Sequence, residues 1–238
     1  MISVIVPALN EAAHLPGLLA ALAREATPHE VLVVDGGSRD ATRELARQAG
    51  ARVLSSEPGR GQQLGAGAAA SSGRVLLFLH ADSRFPVGGL ARIEAALDAD
   101  PACPGGNFRL LFDGEDGFSR WLNGFYAWIR ARGFYYGDSA IFVRRGVYDA
   151  LGGIRPIALM EDYDFVRRLE ASGPTCCIEA PPLVTSSRRF AGRRPAAIVL
   201  GWLEIHLLFH LGVPPQVLAR RYEAQRRRGN GLTAPTKS

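Results

Sequence analysis

Two aspartates stand where alternating strands and helices would present their chemistry. Asp35 follows directly on the apolar run Val31-Leu32-Val33-Val34, and Asp82 comes just after the run over 75–79. In an open α/β sheet, ligands bind beyond the carboxyl ends of the strands. A carboxylate there can hold Mg²⁺ or Mn²⁺, which take oxygen ligands together with substrate phosphate. Asp35 opens Asp35-Gly36-Gly37-Ser38-Arg39-Asp40-Ala41-Thr42. Its glycines let a ligand approach the backbone, and Ser38 or Asp40 suits the cap of the next helix. Further along, Met160-Glu161-Asp162-Tyr163-Asp164 gathers three carboxylates at an expected helix start. Complementarity to the helix dipole explains Glu161 and Asp164, while Asp162 also suits a general base. Ser186-Ser187-Arg188-Arg189-Phe190 ends an expected strand, where paired arginines could grip a diphosphate.

Two other patterns resolve against the chemistry they suggest. Gly65-Ala66-Gly67-Ala68-Ala69-Ala70 matches G-x-G-x-x-A, but that fingerprint must follow a strand and open a helix. Here it lies inside a helical segment and precedes a strand, so it reads as a small-residue packing face. His206 and His210 share a helical face at i, i+4 without the Glu of His-Glu-x-x-His. They are expected in the core or facing lipid rather than on zinc.

The elements that must position these residues follow from periodicity. Strand-like runs over 3–6, 31–34, 52–54 and 75–79 alternate with helical spacing over 15–25, 40–49, 62–72 and 88–99. This rhythm predicts an α/β fold with a mostly parallel sheet flanked by helices. Continuously apolar strands fit a sheet buried on both faces. From about Pro101 the rhythm becomes mixed. A strand over 105–112 precedes a helix over 117–132 that carries Trp121, Phe125, Tyr126 and Trp128. A strand over 139–143, a short helix ending near Gly152-Gly153, a helix over 161–171 and strands near 176–179 and 183–186 follow. The aromatic side chains of this half, with Tyr135 and Tyr136, are either plain core or an acceptor wall. Two helices, roughly 195–211 and 214–228, and a frayed tail from 229 are expected at the end.

Composition narrows the class. In 238 residues, 47% hydrophobic and 21% charged supply a sizeable core and exclude disorder, collagen-like repeats and a coiled coil. Cys103, Cys176 and Cys177 are too few for a disulfide framework and lack zinc-ligand spacing, which suits a reducing compartment. Met1 runs straight into an apolar strand, so no signal peptide is expected. Charge is uneven: residues 186–238 hold ten basic and two acidic residues, whereas 1–185 hold 18 and 21. Nearly all this basicity is arginine, which suits phosphate but also follows from a GC-rich genome. Residues 196–213 approach a membrane span in length, yet Glu204, His206 and His210 interrupt them. A central carboxylate costs about 2.5–3.5 kcal/mol in a bilayer. A docked or interfacial helix is expected instead, its flanking arginines either meeting anionic lipid or forming a solvated basic face.

Taken in order, Ser3-Val4-Ile5-Val6-Pro7-Ala8-Leu9-Asn10-Glu11, the Val34-to-Thr42 stretch, Phe78-Leu79-His80-Ala81-Asp82 and Glu161-Asp162 resemble family 2 glycosyltransferases of the GT-A fold. The resemblance covers roughly residues 1–190. Asp-Gly-Gly-Ser, His-Ala-Asp, Tyr136-Gly137-Asp138 and Thr185-Ser186-Ser187-Arg188-Arg189-Phe190 resemble a short bacterial subgroup, some of whose members are associated with arsenosugar biosynthesis. The resemblance implies a nucleotide-binding half over 1–100, an acceptor half over 101–190 and a basic helical extension over 191–238. Pro7, Ala8, Asn10 and Glu11 would line the nucleotide pocket, with Asp35 on the base, usually uracil, and Gly36 and Arg60 in the same pocket. His80-Ala81-Asp82 occupies the Asp-x-Asp position, so Asp82 would bind Mn²⁺ or Mg²⁺ at the donor's diphosphate. His80 replaces the aspartate that normally meets the ribose, and Gly36 replaces a second aspartate. Asp162 would be the catalytic base, Arg188 and Arg189 would neutralise the leaving diphosphate, and Asp138 and Glu161 would face the acceptor.

These roles amount to single displacement with inversion. A base takes the acceptor's proton while positive charge receives the departing nucleoside diphosphate. The expected donor is a UDP-sugar and the acceptor a small-molecule or lipid-linked hydroxyl. A cytoplasmic location, with attachment to an anionic inner membrane face as an option and no nucleic acid partner, completes the expectation. A nucleotidyltransferase on a similar sheet is the alternative enzyme, but its Gly-rich basic loop is missing from Pro7-Ala8-Leu9-Asn10-Glu11. A non-enzymatic anionic-surface binder would leave Asp35, Asp82 and Asp162 without a role.

Overall fold

The computed structural model describes residues 1–229. Strands β1 (Ile2–Ala8), β2 (His29–Asp35), β3 (Arg52–Ser55) and β4 (Val75–Phe78) run parallel, in the spatial order β3-β2-β1-β4. Helices α1 (Leu15–Leu22), α2 (Thr42–Gln48) and α3 (Arg60–Ala70) connect them. The strands are apolar on both sides because both sides are covered. Ile2, Val4 and Val6 enter one core with Leu15, Leu18 and Leu22 of α1, while Ile5 enters the other with Leu64 and Ala68 of α3. A Cβ on Gly67 would stand 2.4 Å from the Ile5 side chain, so the small residues of α3 let the helix seat closely on β1. The glycine-alanine stretch is therefore a packing face.

The second half departs from the parallel pattern. After β5 (Ser83–Arg84) and α4 (Gly89–Ala99) come β6 (Gly105–Phe112), α5 (Gly117–Arg130), β7 (Ile141–Arg144), α6 (Arg145–Ala150), α7 (Glu161–Ser172) and β8 (Cys176–Thr185). Strand β7 lies antiparallel between β4 and β6, β8 runs parallel to β6, and β5 pairs antiparallel with the end of β8. The two strands expected near 176–179 and 183–186 are one strand. Its register against β6 shifts between Phe108 and Leu110, beside Pro181 and Pro182, which lack the N–H a ladder needs. The two-residue β5 is too short to announce itself by periodicity. It curls the sheet by setting Ser83 opposite Thr185.

Two helices, α8 (Pro195–His210) and α9 (Pro215–Gly229), cover the open end. Ile198 of α8 joins the larger core, and Trp202 meets Phe190 edge-on at 5.7 Å. Ile205 and Leu218 pack with Met160 and Tyr163 at the start of α7. Among the described residues no helix is long and apolar enough to cross a membrane. The tail expected to fray lies, beyond Gly229, outside the described residues.

Candidate active site

Four parallel strands deliver their carboxyl ends to one edge, where two loops are knitted together. Asn10 adopts a left-handed backbone (φ 56°), a conformation asparagine tolerates better than most residues. Its N–H donates to Ser38 Oγ at 2.9 Å, and its Oδ1 accepts from the Arg39 N–H at 2.9 Å. The Glu11 N–H donates to Thr42 Oγ1 (2.8 Å), and the Ala12 N–H to Asp40 Oδ2 (3.1 Å). Ser38 and Asp40 thus tie the β1 loop to the β2 loop. Asp40 Oδ1 also accepts from the N–H of Thr42, the first residue of α2, at 3.0 Å, so Asp40 serves both the helix start and the β1 loop, whereas Ser38 serves the β1 loop alone.

Asp35 is 1% exposed, and its carboxylate accepts from the Gly37 and Ser38 N–H groups at 3.1 Å. Beneath Gly36 lies Gln63, whose Nε2 donates to the carbonyl oxygens of Ala8 (2.9 Å) and Val34 (2.7 Å). A Cβ on Gly36 would press on Gln63 at 3.1 Å. Gln63 therefore staples the ends of β1 and β2 and sets the pocket floor. The sequence carries one signal for it, a glutamine on the sheet-facing side of α3 one turn before Gly67.

The β5–β8 pairing brings Asp82 beside the segment that leaves β8. Arg188 Nη2 lies 3.0 and 3.1 Å from the two carboxylate oxygens of Glu11 and 3.4 Å from Asp82 Oδ2. One guanidinium from the second half thus spans two carboxylates of the first, those of Glu11 and Asp82. Pro7 and Ala8 form the end of β1 beside this cluster, Ala81 is buried, and His80 is half-buried. The side chain of Arg189 lies outside the described residues. Among the described residues no three His, Cys, Asp or Glu side chains gather as a complete metal cage. Asp82, with Glu11 across the same guanidinium, fits a hard divalent ion that takes one or two carboxylates and completes its shell with substrate phosphate and water.

Asp162 is the second centre. Its Oδ2 accepts from the Gly137 N–H (2.8 Å) and faces Arg60 Nη2 at 3.3 Å. A Cβ at Gly137 would displace the Arg60 guanidinium and stand 3.1 Å from Asp162 Oδ2. Arg60 also pairs with the buried Glu161 (3.3 Å), so the structure sets this expected donor-pocket residue against the proposed base. Burial pushes the Glu161 carboxyl above its ordinary range, Arg60 pulls it back and Asp162 raises it further. Asp138 is buried and accepts from the Tyr126 hydroxyl at 3.3 Å.

A cavity of about 530 Å³ opens beside Asp162, bordered also by Arg60, His80, Asp138 and Glu161. Its opposite wall is apolar and comes from α5, α8 and Leu159. His206 and His210 belong to it. The Tyr136 hydroxyl and His206 Nε2 are 3.0 Å apart, and Tyr163 OH stands 3.2 Å from His210 Nε2. Burial, then the neighbouring His210, holds His206 below the ordinary imidazole range. Burial raises the Tyr136 phenol, and Asp162 adds to that shift. Of the aromatics read as core or acceptor wall, Tyr135 is core, Tyr126 and Tyr136 line the cavity, and Trp121 and Trp128 are exposed.

Such a sheet, with carboxylates at its strand ends and a cavity leading to Asp162, defines a GT-A-type fold. Residues 3–149 match the glycosyl transferase family 2 profile, and the chain belongs to that family. It is 30% identical over 210 residues to a PGL/p-HBAD biosynthesis glycosyltransferase of Mycobacterium bovis BCG, covering 78% of this chain and 72% of that protein. It is also 35% identical over 98 residues to an uncharacterised glycosyltransferase of Mycobacterium bovis. That match spans 41% of this chain and 44% of the relative's length. Glucosyl-3-phosphoglycerate synthase from Mycobacterium tuberculosis, solved with Mn²⁺ and UDP-glucose, shares the fold at TM-score 0.60 and 20% identity. The alignment covers 90% of this chain and 80% of that one.

Proposed function

We propose that this protein transfers a sugar, with inversion, from a nucleotide-diphosphate sugar to an acceptor hydroxyl, with a UDP-sugar as the favoured donor. The supporting observation is that His80, two residues before Asp82, and Asp162 border one cavity. A donor whose diphosphate lies at Asp82 would therefore present its sugar toward Asp162. Asn10, Glu11, Asp35 and the Gln63-supported Gly36 form the nucleotide side, with Pro7, Ala8 and Ala81 shaping its backbone. Arg188, already oriented by Glu11, meets the diphosphate as its negative charge grows. A divalent ion at Asp82, Mn²⁺ or Mg²⁺, supplies further charge neutralisation at that diphosphate.

Asp162 accepts the acceptor's hydroxyl proton as the oxygen attacks the anomeric carbon and the diphosphate departs. Gly137 and Arg60 hold the carboxylate in place for this step, and Asp138 and Glu161 bound the acceptor side. The inverting, single-displacement course rests on Asp162 acting as the one base. The Mn²⁺ complex of the mycobacterial synthase supports the metal, and its UDP-glucose supports the donor class. Calorimetry tests the reading: Mn²⁺ strengthens UDP binding by the native protein, and Asp82→Ala removes that gain while the thermal midpoint holds. Metal-independent UDP binding by both proteins overturns it.

A further inference from the structure

Helix α8 is apolar over most of its surface, interrupted by Glu204, His206 and His210, a pattern that belongs to buried or membrane-contacting helices. Only one side of it is buried, through Ile198, Gly201 and Ile205. The other side carries Leu200, Leu203 and Leu207, with Leu211 just beyond the helix, each between 61% and 69% exposed. Their spacing of three and four residues makes one continuous stripe. Beside it, α5 presents Trp121, Phe125 and Trp128 as a stacked ridge, with centroids 4.9 and 6.1 Å apart. Trp121 and Trp128 are 45% and 54% exposed. The cavity that reaches Asp162 opens between these surfaces, since Phe125, Leu203 and Trp202 all border it.

Charge identifies what covers this face. Arg194 stands exposed at the start of α8, Arg220 and Arg221 at α9, and Arg132 lies over the Trp128 ring at 3.9 Å. Exposed leucines and tryptophans rimmed by arginine match an anionic lipid surface, where rings and guanidinium groups sit at headgroup level. Glu204 of α8 is neutralised by Arg221 at 2.6 Å, and Arg132, Arg194 and Arg220 leave the rim net basic. Helix α8 is too short to span, so it rests in the interface.

We infer that the α5–α8 face rests on an anionic bilayer and that the cavity between these helices takes the apolar chain of a membrane-borne lipid alcohol, with its hydroxyl end at Asp162. This rests on the glycosyltransferase reading and narrows its acceptor to an amphiphile. Leu203, Phe125 and Ile129 would contact the chain, while Arg60, Asp138 and Asp162 face its polar end. The lipid surface thereby both holds the enzyme and delivers its acceptor.

The three tryptophans of the chain, Trp121, Trp128 and Trp202, all lie on this face or in this cavity. Tryptophan quenching therefore reads it without any sugar transfer. On vesicles of dibrominated phosphatidylglycerol and phosphatidylcholine, emission falls at low salt and recovers as salt rises. Leu200→Glu with Leu207→Glu, both at exposed positions, weakens vesicle binding at least about tenfold, because each leucine contributes that much on burial. Its thermal midpoint stays near that of the native protein. In a Trp121→Phe, Trp128→Phe variant, 11-bromoundecanol quenches the remaining Trp202 saturably. Absent vesicle quenching, equal vesicle binding by the leucine variant, or non-saturable quenching of Trp202 each overturns the inference. None of these readouts uses nucleotide, so failure of the donor reading shows separately in UDP calorimetry.

Discussion

Replacing Asp162 by Asn separates catalysis from architecture, because the structure permits the two costs to be estimated independently. The Gly137 N–H now bonded to Oδ2 can bond equally well to an amide oxygen. What Asn loses is the negative charge facing Arg60 at 3.3 Å. That guanidinium is one-third exposed and retains Glu161, so the lost pair costs under about 1 kcal/mol. For a chain of this size the midpoint should fall by about 2–4 °C at most. Catalysis should respond far more strongly. Asn cannot accept the acceptor's proton, and loss of a general base slows transfer by roughly 10²–10⁴-fold, equivalent to about 3–5.5 kcal/mol in the barrier. UDP affinity should stay within about twofold, since Asp82 and Arg188 are untouched and 1.4 kcal/mol would be needed for tenfold. The assay pairs initial-rate transfer from a UDP-sugar with UDP titration and a melting curve. Near-native turnover refutes the base. Equal losses in UDP affinity and rate would move Asp162 into donor binding.

Three further outcomes follow from the same geometry. Arg188→Gln should weaken UDP binding about 5–30-fold by removing charge-assisted bonds of about 1–2 kcal/mol, yet barely shift the midpoint, because the arginine is 44% exposed; unchanged UDP affinity refutes its diphosphate role. Gln63→Leu removes the side-chain donor from the Val34 carbonyl oxygen and from that of Ala8, which keeps the Gly36 N–H, and should cost about 1–3 kcal/mol in chemical denaturation, with UDP affinity falling too; a fully native denaturation midpoint refutes the staple. His206, held neutral below its ordinary range, contributes stability that is complete above about pH 6.5 and is lost as pH falls through its lower folded value. His206→Gln should therefore flatten the midpoint's decline between pH 7 and 5, and an unchanged slope refutes the assignment.

The first hundred residues were legible because β1, β2 and β4 carry long apolar runs and each helix has its own period, so local pattern and global fold agree. Strand-end aspartates could be placed for the same reason: once the parallel order is known, Asp35 and Asp82 must share an edge. Legibility ended where partners lie far apart in the chain. Nothing near Ser38 announces Asn10, and nothing near Arg60 announces Asp162, 102 residues later. Local rules placed Asp40 at the start of α2, where it does accept the Thr42 N–H, but could not show that it and Ser38 also hold the β1 loop. The β5–β8 pairing escaped for want of length, although it determines that Asp82 meets Arg188. The apolar character of 196–213 was plain, but only the structure divides it into a buried side, a cavity wall and an exposed stripe.

Arg60 illustrates why the acceptor half and the nucleotide half must be read together. It begins α3, directly after the third parallel strand and its loop, and so belongs by topology to the donor side. Its guanidinium nevertheless lies between Glu161 and Asp162 on α7. Glu161, buried and raised above its ordinary range by that burial, draws on the same guanidinium. The pair of acids thus shares one counter-charge that the nucleotide half supplies. Gly137, with no side chain to intrude, closes the arrangement by giving Asp162 a neutral donor that orients the carboxylate without adding positive charge. The Asp162 carboxylate is oriented by a backbone N–H and shares one arginine with Glu161, and both contacts depend on the two halves of the sheet meeting at this edge.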